Sequence, residues 1–205
     1  FLCYNMSNIL YKKMNGNHNY ISIFDNAISK EQCDVIINEF EYNKDKHVDG
    51  MTGSYQVQPD QKKSIDLVCQ IDDSSSTSKI LSKSLNHHVE LYKNIYPDVN
   101  NLLYPWSCGS LYNVQKYYPK WGFFSRHCEV TNMMTSNRVL TWMFYLNNVQ
   151  NGGTLFPSND IVIDAVEGRL VIFPAYWTHG HQGQISETHI KYIATGWYVF
   201  VQENQ

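Results

Sequence analysis

Residues 139–146, VLTWMFYL, 169–174, RLVIFP, and 189–201, HIKYIATGWYVFV, decide the fold of this chain. Each is a short run crowded with Val, Ile, Tyr, Phe and Trp, the residue types that suit a pleated, buried surface. Further runs of the same kind lie between and before them: LYNVQKYY (111–118), GFFSRHCEV (122–130), GTLFP (153–157), IVIDA (161–165) and YWTHGH (176–181). Pro119, Asn147–Asn148, Gly152–Gly153, Pro157 and Gly168 punctuate the series. About eight short strands with turn signals between them predict a β-sandwich or barrel. The Gly152–Gly153 pair reads as a turn device, because no helical pattern follows it to make a phosphate cradle.

Upstream the pattern changes. YISIF (20–24) reads as a strand, and Ser29 with Gln32 has the spacing of a capping box. Cys33, Ile36, Ile37 and Phe40 then follow at helical intervals. Residues 43–63 are polar, contain Gly50, Gly53 and Pro59, and predict a long loop of the kind that serves function. Ile65, Leu67, Cys69 and Ile71 alternate as in a strand. DDSSSTS (72–78) reads as a polar hinge. A second helix is expected from about Lys79 to Tyr96, with Leu81, Leu85, Val89 and Tyr92 on one stripe and Pro97 as its stop. Helices before strands give an α+β fold. Residues 1–19 are expected to be a loose arm and 20–205 one domain.

Composition excludes several classes. The 205 residues include 17% charged and 14% aromatic residues, the reverse of a disordered chain. A net charge of −3 offers no footprint for nucleic acid. No apolar run is long enough for a membrane span, and the first twenty residues lack the basic-then-apolar order of a signal peptide. The five cysteines, Cys3, Cys33, Cys69, Cys108 and Cys128, are odd in number and form no CxxC pair. Free thiols point to a reducing, cytoplasmic setting.

The chemistry lies among the eight His. His127 and Glu129, one residue apart in an expected strand, would share a face while Cys128 turns into the core. His179 and His181 would likewise share a face of a later strand. Two His and one carboxylate are the donor set of the facial triad of non-haem Fe(II) oxygenases.

The ordered blocks YNVQKYYPKWGFFSRHCE, FYLNNVQNGGTLFP, GRLVIFPAYWTHGHQGQ and KYIATGW, with ISIFDNAISKEQCDVIINEFE before them, resemble the prolyl 4-hydroxylase-like 2-oxoglutarate- and Fe(II)-dependent dioxygenases. The resemblance covers roughly residues 20–201 and implies a double-stranded β-helix (jelly-roll, cupin-like) core with the N-terminal helices packed on one sheet. It implies oxidative decarboxylation of 2-oxoglutarate to succinate coupled to hydroxylation of a prolyl residue in a peptide or protein, without nucleic-acid or membrane partners. Fe(II), 2-oxoglutarate and dioxygen are the implied cofactors, with ascorbate beside them. His127, Glu129 and His181 would be the metal ligands. The family more often carries Asp where Glu129 stands, but the longer side chain keeps an oxygen donor. His181 lies ten residues before Lys191, the family's spacing between distal His and basic residue. His179 is the alternative. Lys191 would anchor the far carboxylate of 2-oxoglutarate, sharing it with Tyr145. Tyr118, with Tyr117 as its alternative, and Thr195 would line the co-substrate pocket, and Trp197 would pack against it.

Competing readings use fewer of these residues. The same chemistry on a free amino acid or small metabolite needs the whole set. A zinc hydrolase would need the three donors but neither Lys191 nor Tyr145. A catalytically inactive binding module needs none of them. His18, His47, His87, His88 and His189 read as loop, helix-surface or strand-end residues, and Met133–Met134 as loop or core.

Overall fold

A computed structural model describes residues 19–201 apart from 54–55 and 72–73. Except for Asn19, the expected N-terminal arm, with Cys3 and His18, lies outside the described residues. So do residues 202–205.

The first strand, β1 (Ser22–Phe24), leads into helix α1 (Lys30–Tyr42) through the expected capping box: the Ser29 hydroxyl accepts from Gln32 N, and the Gln32 side chain accepts from Ser29 N. Cys33, Ile36 and Phe40 are fully buried. The next element, β2 (Val48–Asp49), is only a two-residue edge strand within the long 43–63 segment. It pairs with β3 (Ile65–Gln70). Helix α2 (Ser76–Ile95) begins earlier than the sequence suggests. The tract read as a hinge is partly its start: Ser75 caps Ser78 N, and Ser78 is buried with its hydroxyl on Gln70 O at 2.6 Å. Short polar side chains that compete for backbone groups also make good caps.

Strands β4 (Trp106–Tyr117), β5 (Arg138–Tyr145), β8 (Leu170–Pro174) and β10 (Lys191–Phe200) complete a seven-stranded antiparallel sheet in the order β1-β8-β5-β10-β4-β3-β2. Strands β6 (Val149–Phe156), β7 (Ile161–Ala165) and β9 (Gln182–Gly183) form a smaller sheet facing it, ordered β7-β6-β9. At β5 and β8 the large sheet is buried on both faces, which explains their apolar runs. Leu140, Trp142 and Phe144 of β5 pack with α1 and α2 residues such as Ile36, Phe40, Leu81 and Leu85. Met143 and Tyr145 point the other way, into a second core shared with Phe156 and Ile163 of the small sheet.

Three expectations are corrected. Residues 122–130 are not a regular strand. Their amides bond to three separate segments: Phe124 N to Gln61 O, His127 N to His181 O, and Glu129 N and Val130 N to Ala175 O. Backbone groups satisfied segment by segment leave no ladder to register. Nor is 176–181 a strand, since Trp177–His179 is a 3-10 turn. Gly152 and Gly153 are not a turn between strands but lie inside β6, where the register with β7 shifts between Val149 and Thr154. A Cβ on Gly153 would stand 2.1 Å from Ile163 O, so only glycine allows this bulge. Gly153→Ala should therefore destabilise the protein by about 1–3 kcal/mol, the usual range for forced overpacking. An unchanged denaturant midpoint would show that the bulge relaxes freely.

Candidate metal and co-substrate site

Two single-residue contacts build the site. His127 and His181 exchange both backbone hydrogen bonds, at 2.9 and 2.8 Å, in an isolated antiparallel bridge. Directly opposed residues in such a pair present their side chains on one side, and the two imidazole centroids lie 4.4 Å apart. Glu129 joins them, its Oε1 3.6 Å from His127 Nε2 and 3.3 Å from His181 Nε2. One ligand atom from each of the three residues falls within 4.8 Å of the others.

The hydrogen bonds assign the tautomers. His127 Nδ1 faces Ser125 O at 3.1 Å, and His181 Nδ1 faces His179 O at 3.0 Å. A carbonyl only accepts, so each Nδ1 donates, leaving the Nε2 lone pairs aimed at a carboxylate. Three acceptors thus converge with nothing between them. The donor set fits a divalent first-row cation such as Fe(II). Phe123 stacks on His127 at 3.6 Å, and Phe173 packs at 5.0 Å from His181. These contacts fix both rings.

His179 does not join the cluster. Its Nε2 bonds Asn19 O at 2.7 Å and its Nδ1 meets Thr178 Oγ1 at 2.9 Å, so both nitrogens are engaged. The expectation that it shares a face with His181 fails because it closes a 3-10 turn. His189 is exposed and meets Thr188. His47 bonds Phe40 O, and His88 bonds Ser84 O. Met133 and Met134 are exposed rather than core. Cys128 is half-buried beside the cavity, its thiol on Val130 O, instead of pointing into the core.

A cavity of about 900 Å³ opens over the three donors. Lys191 lies at one end of it, 7% exposed. Its Nζ bonds Gly152 O at 2.9 Å and stands 4.9 Å over the Tyr117 ring. No carboxylate among the described residues pairs with it, and burial pushes its ammonium down to about 8. The Gly152–Gly153 bulge thus presents to Lys191 a carbonyl that a regular strand would have turned into the ladder. Tyr145, fully buried, shares a 2.6 Å hydrogen bond with Thr154. Its hydroxyl is pushed above its ordinary value by burial.

Tyr118 is corrected. It is 36% exposed and packs on Trp121 outside the cavity. The antiparallel register opposes Tyr117 to Lys191, so Tyr117 is the tyrosine on the cavity face. Its hydroxyl donates to Gln115 at 2.7 Å. Thr195 lies on the cavity face with its hydroxyl on Trp142 O. Trp197 does more than pack, because its Nε1 donates to Glu129 Oε2 at 2.9 Å.

Two partners escaped the sequence reading. Arg138 lies 3.6 Å over the Trp197 ring, and its Nη1 bonds Glu129 O at 2.9 Å and Oε2 at 3.4 Å. A cation at the head of an apolar strand was the available signal. Gln115 bridges Tyr117 to Asp66, whose carboxylate also takes Lys62 at 2.6 Å and Ser64 at 2.7 Å. Its place at i−2 from Tyr117 was the signal there.

Comparison with known proteins agrees with this picture. Residues 112–199 match the model of the 2OG-Fe(II) oxygenase superfamily. A prolyl hydroxylase from Trichoplax adhaerens, solved with a peptide fragment of the hypoxia-inducible factor oxygen degradation domain, superposes with a TM-score of 0.74 at 19% identity, over 90% of this chain and 85% of that one. A viral collagen prolyl hydroxylase from Paramecium Bursaria Chlorella virus-1 gives 0.66 at 18% identity, over 90% and 98%. A prolyl-4-hydroxylase from Pseudomonas putida gives 0.67 at 12%, over 90% and 95%. No curated protein matches the chain in sequence. Among the described residues no helix is long and apolar enough to cross a membrane. Residues 112–199 thus resemble the 2OG-Fe(II) oxygenase superfamily in sequence, and the chain shares the double-stranded β-helix fold of prolyl hydroxylases.

Proposed function

We propose that the chain is a 2-oxoglutarate- and Fe(II)-dependent dioxygenase that hydroxylates a prolyl residue in a peptide or protein. The observation that carries this reading is the pairing of two unmet demands in one cavity. Three acceptor atoms, His127 Nε2, Glu129 Oε1 and His181 Nε2, face one another, and among the described residues no side-chain cation stands between them and no carboxylate meets the buried Lys191 ammonium. A metal meets the first and the distal carboxylate of 2-oxoglutarate the second. A zinc hydrolase would leave the Lys191 ammonium with no role.

When bound at His127, Glu129 and His181, iron supplies the redox chemistry in which dioxygen converts 2-oxoglutarate to succinate and carbon dioxide and an oxygen atom enters a substrate C–H bond. The protein supplies the rest. Lys191 and Tyr145 hold the co-substrate's far carboxylate. Tyr117 and Thr195 wall the space between that carboxylate and the metal ligands. Arg138 and Trp197 occupy Glu129 Oε2, so that Oε1 alone is offered to the metal. Phe123, Phe156 and Phe173 keep water from the histidines. The prolyl assignment draws on the three prolyl hydroxylases that share the fold, two of which are described as acting with a hypoxia-inducible-factor peptide and on collagen.

The test is uncoupled and coupled 2-oxoglutarate turnover, with Fe(II) and ascorbate present, against proline-containing peptides and free amino acids. Succinate formed faster with peptides than with free amino acids supports the proposal. Stimulation by a free amino acid alone would favour the metabolite reading.

The co-substrate's affinity carries a pH signature. Lys191 is charged below about 8 in the free protein, and a bound carboxylate raises that value. Binding therefore takes up a proton above pH 8, and the observed affinity should fall there, approaching tenfold per pH unit. Below pH 8 it should be flat. Calorimetric titration with 2-oxoglutarate at several pH values reads this directly, and an affinity constant up to pH 9.5 would exclude Lys191 as the anchor.

A further inference from the structure

Lys191 and the three donors account for one part of the cavity. A second arm starts at Thr195 on β10 and crosses Asn113 and Leu111 on β4 and Val68 on β3 to Val48 on β2 and Met51 beyond it. The register puts these side chains on one face, because Thr195 opposes Asn113, Asn113 opposes Val68, and Val48 opposes Asp66, two residues before Val68. From β10 to β2 is three strand spacings, about 14 Å. That is too long for a target ring alone and matches about four residues of extended chain.

The arm is apolar and open. Val68, Leu111, Met51 and Val48 are 55%, 51%, 44% and 39% exposed, yet they adjoin the reaction cavity. A contiguous exposed apolar surface of this kind marks a binding site. Its charge is cancelled from within. Asp66 is buried against Lys62 at 2.6 Å, with Ser64 and Gln115 completing its hydrogen bonds, and Asp49 stands at the exposed rim. A charged side chain laid along the apolar part of this arm would lose hydration, and the solvent-screened rim charge of Asp49 would offset little of that cost.

Resting on the reaction class proposed above, we infer that this arm is a specificity subsite for the polypeptide on one side of the target residue, and that it selects an extended run of about four uncharged, largely apolar residues. Continuity with the donor cluster argues for the substrate's own chain as the occupant. The length of the arm argues against a free amino acid.

The test uses fluorescently labelled peptides with one central proline and four-residue flanks that are apolar, acidic or basic, on either side. Binding to the metal-free protein is read by anisotropy, and turnover by succinate. The apolar flank on one side should bind at least about tenfold tighter than the same peptide with Glu or Lys in that flank. Val68→Lys replaces an exposed side chain and leaves the fold intact. It should weaken the apolar peptide about tenfold, reverse the penalty for a Glu flank, and leave uncoupled 2-oxoglutarate turnover unchanged. Equal binding of all flanks, or a Val68→Lys variant with the wild-type order of preference, would overturn the subsite. If the flank preference and its reversal hold but no succinate forms, the subsite stands and the dioxygenase reading falls. If succinate forms but the flanks do not matter, the subsite alone falls.

Discussion

His181→Ala should abolish the visible charge-transfer band formed anaerobically with Fe(II) and 2-oxoglutarate, and should weaken iron binding by at least about 100-fold, the upper end of what even an indirect ligand-supporting contact is worth. His179→Ala should leave the band in place. The two residues are near neighbours and both buried, so loss of a nearby imidazole alone does not separate them. What separates them is hydrogen bonding. His181 offers Nε2 to Glu129 at 3.3 Å, while both His179 nitrogens are committed to Asn19 and Thr178. Removing His181 also removes one of three acceptors crowded without a cation, so the apo-protein should lose little stability. A melting temperature that rises with added Fe(II) in wild type and His179→Ala, but not in His181→Ala, gives a second readout. The band surviving in His181→Ala and vanishing in His179→Ala would transfer the ligand role to the other residue.

Lys191→Met should move function and stability in opposite directions. The variant loses the buried cation at that end of the cavity, and the affinity for 2-oxoglutarate should fall by roughly 30- to 1,000-fold, the range expected on truncating one partner of a buried charge pair. The apo-protein should become more stable at neutral pH. Lys191 sits near 8 in the folded protein, below its ordinary 10.5, because burial penalises the ammonium. The folded state therefore sheds its proton first, so wild-type stability rises as pH climbs from about 8 to 10.5 and carries the whole penalty below 8. That penalty is about 3 kcal/mol at most, and Met of similar length removes it. Urea denaturation at pH 7 measures the gain, and calorimetry measures the lost affinity. A variant that is both less stable and still binds 2-oxoglutarate would mean that Lys191 is structural, its bond to Gly152 O being what matters.

Much of the fold was readable because β5, β8 and β10 are largely buried on both faces and are therefore mostly apolar. The helices were equally clear: Cys33, Ile36 and Phe40, and Leu81, Leu85, Val89 and Tyr92, keep a helical period that nothing else explains. The site was readable as a donor set but not as a geometry. His127 and Glu129 were expected to converge by strand alternation. They converge instead because an irregular segment is held by Gln61, His181 and Ala175 in turn. Periodicity cannot report hydrogen bonds between residues more than forty apart in sequence. Tyr118 was preferred to Tyr117 for the same reason, since only the pairing of Tyr117 with Lys191 decides which of the two faces the cavity. Arg138 was passed over because its partner Glu129 lies nine residues back, across a turn that the sequence pattern does not orient.

The claim at the centre of this account is that His127, Glu129 and His181 hold an iron whose oxidation of 2-oxoglutarate is coupled to hydroxylation of a peptide. Turnover of a proline-containing peptide under isotopically heavy dioxygen, followed by mass spectrometry of peptide and succinate, tests it most directly. One heavy oxygen in the peptide, one in succinate, and a one-to-one yield of the two products are expected. A peptide cleaved or unmodified, with 2-oxoglutarate untouched, would contradict it.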